Sequence, residues 1–291
     1  MRYILFLLII KAGTLNAQVM LPSYQGVQVV PLSTPSLTTA SVTAATATTI
    51  TTGGNVTLAG ATSVTARGVC WSLSTGPTIA DGTTNDGTGT GSFASTITGL
   101  TSMTTYYIRA YATNSLGTAY GDELTFTTFP GVGSTYQGGK IVSLLVSTDA
   151  GYDPLVPHGF MVSAVDLSTG TSWSNNNNNL NSTNTGGGQA NTTAIVADQG
   201  AGGYAAKLCN DYSVVGSDGV TYSGWYLPNR SELTNLFNNK GTTNAGYASQ
   251  YYWSSSQKVS TTASAKHFGT GNPQDYAKNS TFLAVRAVRV F

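Results

Sequence analysis

The side chains able to do chemistry in this chain are few and widely spaced. Its two histidines are His158 and His267, and its two cysteines are Cys70 and Cys209. Zinc is held by a compact set of nitrogen and sulfur ligands, and these four residues do not supply one at credible spacing. Calcium takes six to eight oxygens, usually with several carboxylates gathered in one loop. The acidic residues of the second half, Asp149, Asp153, Asp166, Asp198, Asp211, Asp218, Glu232 and Asp275, stand singly instead. A hydrolase needs a positioned base or a carboxylate pair. Serine and threonine are so common that matching one to a histidine and an aspartate distinguishes nothing. His158, after Pro157, reads as a turn residue and His267 as a surface contact. Cys209 falls on an apolar helical stripe, where a thiol is inert. These residues lead us to expect no catalytic residue, no metal and no cofactor, and two buried free thiols rather than a disulfide.

Binding is the remaining kind of chemistry, and it depends on the elements that carry the contacts. Only 9% of residues are charged. Abundant Thr, Ser, Asn and Gly suit strands and long loops. The N-terminus reads as an export signal: Arg2, an apolar run from Ile4 to Ile10, then Leu15-Asn16-Ala17 before Gln18. That run is too short to cross a bilayer, and no later segment is apolar enough to do so. Without Arg2 and Lys11 the 13 basic residues become 11 against 12 acidic ones, so bulk charge draws neither nucleic acid nor an anionic membrane.

We divide the chain into a signal peptide (1–17), a leader with Pro22, Pro31 and Pro35 (18–36), a β domain (37–128), a linker (129–135) and a second domain (136–291). In the β domain short alternating runs recur at Ser41–Ala44, Asn55–Leu58, Ala66–Trp71, Ser95–Ile97 and Tyr107–Tyr111. Turns are expected at Gly53-Gly54, Asp81-Gly82, Asp86-Gly87 and Asn114. Many short strands at such spacing indicate a sandwich. The stretch from Leu100 to Asn114 resembles the tyrosine corner of fibronectin type III domains. There a Leu enters the corner and a Tyr hydroxyl bonds back to the nearby backbone. Leu100 and Tyr106 would take those parts, with Trp71 on a core strand and Ser102 where the family usually has Pro.

The second domain opens on Tyr136-Gln137-Gly138-Gly139 and a buried strand, with another strand at Phe160–Val165. Residues 175–191 form a low-complexity loop. Ala205, Leu208, Cys209 and Tyr212 share one helical stripe. A second helix is capped by Asn229 with Glu232 three residues on, buries Leu233, Leu236 and Phe237, and is expected to stop at Gly241. Strands return at Tyr251–Ser254 and Leu283–Phe291. The fold class is therefore multidomain: an all-β immunoglobulin/fibronectin-like sandwich, then an α+β domain.

Three motifs stand in order: Gly224-Trp225-Tyr226-Leu227-Pro228-Asn229-Arg230-Ser231-Glu232-Leu233, Tyr252-Trp253-Ser254-Ser255-Ser256 and Val285-Arg286-Ala287-Val288-Arg289. With Val156-Pro157-His158-Gly159 and the opening glycines, they resemble the C-terminal domain family of the Legionella collagen-like adhesin, whose fold is C-type-lectin-like. The resemblance spans 136–291. It implies an adhesin-like protein at the cell surface that binds an extracellular glycan or protein, with loops on a rigid frame providing specificity. Trp225, Leu227, Pro228, Glu232, Trp253, Arg286 and Arg289 would be framework. No lectin calcium motif accompanies them.

The contacts are expected between Trp253 and Val285, in a segment that reads as an exposed loop. Its candidates are Val259, Thr261, Thr262, Ser264, His267, Thr270, Asp275, Tyr276, Asn279 and Phe282, short polar groups beside occasional aromatics, as in a paratope. The placement also resembles the variable region of diversity-generating retroelement proteins, whose adenine mutagenesis turns an Asn codon into any residue but Lys, Gln, Glu, Met or Trp. Gln257, Lys258, Lys266, Gln274 and Lys278 are of those kinds, near the chance proportion, so composition is neutral here. A structural spacer or surface-layer component without a specific ligand is the alternative reading. An enzyme of the sulfatase-activating oxidase type is the lesser one, since that chemistry uses a cysteine pair and only Cys209 lies in this half. The mature chain should begin at or near Gln18; intact-mass measurement on protein recovered outside the cytoplasm checks this, and a retained Met1 would contradict it.

Overall fold

The computed structural model describes residues 33–176 and 187–291. The expected signal peptide, most of the leader and the middle of the Asn-rich loop lie outside the described residues. The first half consists of strands β1 (Ser36–Ala45), β2 (Ile50–Leu58), β3 (Ala66–Ser72), β4 (Gly82–Thr83), β5 (Gly91–Ile97), β6 (Thr105–Asn114), β7 (Gly117–Tyr120) and β8 (Leu124–Thr127). They form two antiparallel sheets, β1-β2-β5 and β4-β3-β6-β7. β8 pairs with the first part of β6 on the edge whose later part takes β7. Ile50, Val69, Ile97 and Ile108 fill the space between the sheets, with Trp71, Phe93 and Phe126 packed against them.

The two sheets make the expected sandwich, and the corner at Leu100 and Tyr106 is formed. The Thr101 N–H donates to the Tyr106 hydroxyl at 3.0 Å, and Leu100 and Tyr106 are both buried. One expected turn is not a turn: Gly53-Gly54 lies in the middle of β2. A Cβ on Gly53 would sit 2.0 Å from the Phe93 carbonyl oxygen, and one on Gly54 would sit 2.7 Å from the Ala110 side chain. The glycines are there because neighbouring backbone leaves no room for a side chain.

The second half contains β9 (Thr135–Tyr136), β10 (Gly139–Leu144), β11 (Gly159–Ser163), α1 (Gly188–Gln199), α2 (Ala205–Asp211), β12 (Val214–Val215), β13 (Thr221–Tyr222), α3 (Arg230–Asn238), α4 (Lys240–Thr243), β14 (Tyr251–Val259), β15 (Thr262–His267), β16 (Pro273–Ala277) and β17 (Val288–Val290). The last strand returns to the first ones in a sheet ordered β17-β11-β10-β9, while β14-β15-β16 forms a separate sheet. Trp173, Trp225 and Trp253 are buried in one core. Two of them clasp across it: the Trp173 indole donates to the Ser254 carbonyl at 2.7 Å, and the Trp253 indole to the Thr171 carbonyl at 2.8 Å. A Cβ on Gly139 would meet the Trp225 ring at 2.7 Å, which explains a glycine there.

Helix α3 starts as its sequence dictates. The Glu232 N–H donates to Asn229 Oδ1 at 2.8 Å, and the Asn229 N–H donates back to the Glu232 carboxylate at 2.7 Å. Four other expectations are corrected. Gly241 does not end the helix, which stops at Asn238 and continues after Asn239 into α4 with Gly241 inside it. Helix α1 starts within the stretch read as loop, because its buried face carries Asn191 and Thr192 as well as Ile195 and so has no apolar period. Leu283–Phe291 is not one strand: Ala284 bridges to Tyr252 and Val285 to Ser168, and only Val288–Val290 joins β11. Residues 256–277 are not a loop but most of a three-stranded sheet.

Replacing Tyr106 with Phe leaves the Thr101 N–H without its acceptor in a part-buried corner. Denaturant unfolding should show the sandwich losing about 1–2 kcal/mol, and an unchanged midpoint would mean the corner bond contributes nothing.

Candidate functional site

The register of β14, β15 and β16 sorts the candidates onto two sides of their sheet. Tyr251 pairs with His267, Trp253 with Ala265, and Ala263 with Tyr276, so these six share one side. Tyr252, Ser264, Lys266 and Asp275 point to the other, where Tyr252 packs in a core with Leu233 and Leu236 of α3. The Lys266 ammonium lies 5.1 Å over the Phe237 ring.

On the first side the aromatic rings run in a row. Tyr251 meets His267 at 4.8 Å and Tyr276 at 5.0 Å between ring centres, and Tyr276 meets Phe282 at 5.2 Å, all edge to face. Trp253 lies beneath, 6.4 Å from Tyr276. The small Ala263 and Ala265 on the central strand leave the space into which the tyrosines lean. Tyr251, Tyr276 and His267 are half-buried, and Phe282 is 59% exposed at the end of the row. Burial raises the pKa of the Tyr276 hydroxyl, as does its bond to Tyr251.

His267 is fixed by its own turn. Its Nδ1 accepts from the Gly269 and Thr270 N–H groups, each at 3.0 Å, so the neutral ring carries its proton on Nε2. The row therefore offers flat apolar rings, two phenol groups and one imidazole N–H, without a formal charge. Edge-to-face aromatics on a strand frame can stack against apolar faces and fix polar groups at low entropic cost.

The structure thus brings His267, Tyr276 and Phe282 together with Tyr251, which sequence reasoning missed. The missed signal was period two, since Tyr251 shares its side of the strand with Trp253. Ser264 is corrected from exposed to buried: it is 4% accessible, and its hydroxyl donates to the Asp275 carboxylate at 2.7 Å. Asp275 is half-buried and spends that oxygen inside the sheet. Val259 and Thr261 are exposed at the β14–β15 turn, with Thr262 half-buried beside them, and Asn279 is exposed after β16. Thr270 is exposed in the turn that holds His267. These flank the row rather than belong to it.

The framework positions are interior or partly so. Trp225, Leu227, Pro228 and Trp253 are buried, Glu232 is half-buried between Asn229 and Tyr226, and Arg289 donates to Gln137 Oε1 at 2.6 Å while lying over the Tyr222 ring. Burial raises the Glu232 carboxyl pKa against the backbone N–H groups that hold it. Both cysteines are free and buried. Loss of solvation raises the Cys70 thiol to about 11 and Cys209 well above its usual value, so both stay protonated. Among the described residues, no three His, Cys, Asp or Glu side chains gather at a point that could hold a metal. No described helix is long and apolar enough to cross a membrane.

No protein-family model matches the sequence, and no curated protein matches it. Solved structures similar to it include the sensor domain of the anti-sigma factor RsgI4 of Pseudobacteroides cellulosolvens, 17% identical over 34% of this chain and 98% of that one, with a TM-score of 0.26. The FN1-FN3 domains of chicken CNTN1 are 19% identical over 34% of this chain and 31% of that one, TM-score 0.25. The third fibronectin III domain of human KIAA0343 is 16% identical over 40% of this chain and 96% of that one, TM-score 0.26.

Beneath the flanking turns lies a buried cation. Lys278 is 1% exposed, 2.8 Å from Gln257 Oε1 and 4.6 Å over the Trp173 ring. Burial lowers its pKa to about 8, against the attraction of Asp198. Between that value and the ordinary 10.5 the unfolded chain holds a proton the folded one has released, so this group makes stability rise with pH there. Melting curves from pH 7.5 to 9.5 should show the wild type gaining stability relative to Lys278→Met. A constant difference across that window would contradict the assignment.

Proposed function

We propose that this chain is an exported, cell-surface binding protein of adhesin type. In this reading the sandwich is a spacer, and the second half is a C-type-lectin-like domain that recognises an extracellular glycan or protein. The row His267, Tyr251, Tyr276 and Phe282 is the observation that carries it: Tyr251 and Tyr276 pack against the core that holds Trp253 yet stay half-buried, and the row ends in a Phe that is 59% exposed. Three further features support the lectin-like part: the ordered Trp225, Trp253 and Arg286 motifs, the pairing of the last strand with β11 near the start of this half, and a separate small sheet bearing the candidate surface. Export rests on the residues before Gln18. We read the protein as non-catalytic, which the protonated buried thiols and scattered carboxylates favour.

Diversification of the surface by a retroelement belongs to the same reading. Gln257 and Lys278, two of the five residues of excluded kinds, are buried partners of each other. Such positions suit a constant frame under a variable face. A near-copy of this segment downstream in the locus, differing where the copy has adenine, would establish it.

The mature chain on glycan and extracellular-protein arrays should give discrete ligands whose binding persists in EDTA. The double variant Tyr276→Ala, Phe282→Ala should weaken that binding at least tenfold, a loss of about 1.4 kcal/mol. Loss of binding on chelation, or full binding by the variant, would overturn the assignment of the surface.

A further inference from the structure

We propose that a cavity between the sandwich and the second half binds a small organic amine with an apolar body. The cavity has a volume of about 260 Å³. Ala45 and Phe129 wall it on the sandwich side, and Leu144, Val146, Val156 and Pro157 on the other. An apolar cavity of about 150 Å³ accommodates benzene, so this one has room for a ring with a short substituent.

Its walls are pinned by backbone bonds. The Ala45 N–H donates across the junction to the Pro154 carbonyl at 2.8 Å, the Phe129 N–H to Thr46 at 3.1 Å, and the Leu145 N–H to His158 at 2.8 Å. The loop between is held by Asp149, whose carboxylate accepts from the Val146 N–H at 2.8 Å.

The one carboxylate of the lining is Asp153, and Thr46, Ser147 and Tyr152 add hydroxyl groups that can donate or accept. Asp153 and His158 both line the cavity. Asp153 Oδ1 accepts from the Leu155 N–H at 2.8 Å, which leaves Oδ2 to offer. His158 Nδ1 lies 3.2 Å from the Phe291 carbonyl oxygen. A carbonyl can only accept, so Nδ1 carries the proton and the neutral ring offers a lone pair at Nε2. Both remaining atoms are acceptors, and one belongs to an anion. The complementary ligand carries donors and a positive charge: an ammonium meets Asp153 in a charge-assisted bond while its ring or chain fills the apolar walls. A carboxylate of the same shape is repelled by Asp153, and an alcohol supplies only one donor and no charge. This site is separate from the β14–β16 surface and does not depend on its function.

The test is a titration of the full chain with 2-phenylethylamine, 2-phenylethanol and 3-phenylpropionate, followed by the amide resonances of residues 144–158. The amine should bind saturably in the sub-millimolar range and at least tenfold more tightly than the other two. Asp153→Asn, whose side-chain oxygen can still accept from Leu155, should remove the preference for amine over alcohol. Val156→Trp, at the exposed rim, should fill the cavity and abolish binding while leaving resonances of the β14–β16 sheet unchanged. No saturable shift with the amine, equal affinity for all three probes, or amine binding that survives Val156→Trp would each overturn the proposal.

Discussion

A single buried guanidinium holds the second half together. Arg286 is 1% exposed, and its Nε donates to the Asp166 carboxylate at 2.6 Å. Nη1 donates to the Ser163 and Ala245 carbonyls at 2.9 and 2.8 Å, Nη2 reaches Gly246 at 3.4 Å, and the ring of Tyr247 lies 4.7 Å from the guanidinium. Taking a charge out of water costs several kcal/mol unless nearly every donor is matched, so these partners must all be in place at once. Only arginine has a flat fork of donors that can meet a carboxylate and three carbonyls together. The carboxylate also accepts from the Tyr252 hydroxyl at 3.0 Å, and that hydroxyl takes the Ala248 N–H at 2.9 Å. Strand β11, the loop after α4 and strand β14 therefore converge on one residue.

The same residue explains why 283–290 is not a continuous strand. The Ala284 N–H donates to Tyr251, and the Trp253 N–H to Ala284, which stitches the segment to β14. Four residues on, Val288 exchanges bonds with Tyr226 while pairing with β11. Arg286 sits at the crossing between the two sheets, where its side chain turns into the interior. Phe282, just before the crossing, remains on the surface beside Tyr276. The aromatic row is thus presented by the part of the chain that the buried ion pair anchors, and the Trp173–Trp253 clasp fixes its other border.

How much of this was legible in the sequence depended on whether a local rule governed each residue. The capping box at Asn229 and Glu232 and the corner at Leu100 and Tyr106 are set by contacts within a few residues, and both were readable. Gly53-Gly54 was misread because close approach by Phe93 and Ala110, distant in sequence, produces the same pair of letters as a turn. Helix α1 was hidden because Asn191 and Thr192 occupy buried positions, where they bond to Ser255 and to the backbone at Leu227. The strands at 256–277 were hidden because alanine, serine and glutamine fill their inner positions. The candidate residues therefore fall on strands and their turns rather than on one exposed loop. His267, Tyr276 and Phe282 lie on one face, while Ser264 and Asp275, chosen as loop residues, point the other way because a strand alternates.

The claim that Arg286 organises the whole frame is most directly tested by native-state hydrogen exchange on the full chain, comparing the wild type with Arg286→Lys, which keeps the charge and loses the fork. The amides of Ser163, Trp253, Ala284 and Val288 lie on the segments that meet around this residue, and each donates to a backbone carbonyl there or pairs with a neighbouring strand. They should exchange faster by one common factor of at least ten, about 1.4 kcal/mol, while the sandwich amides at Val69 and Thr101 keep their rates. Acceleration confined to residues 245–247 and 286, with Trp253 and Val288 unchanged, would contradict the account.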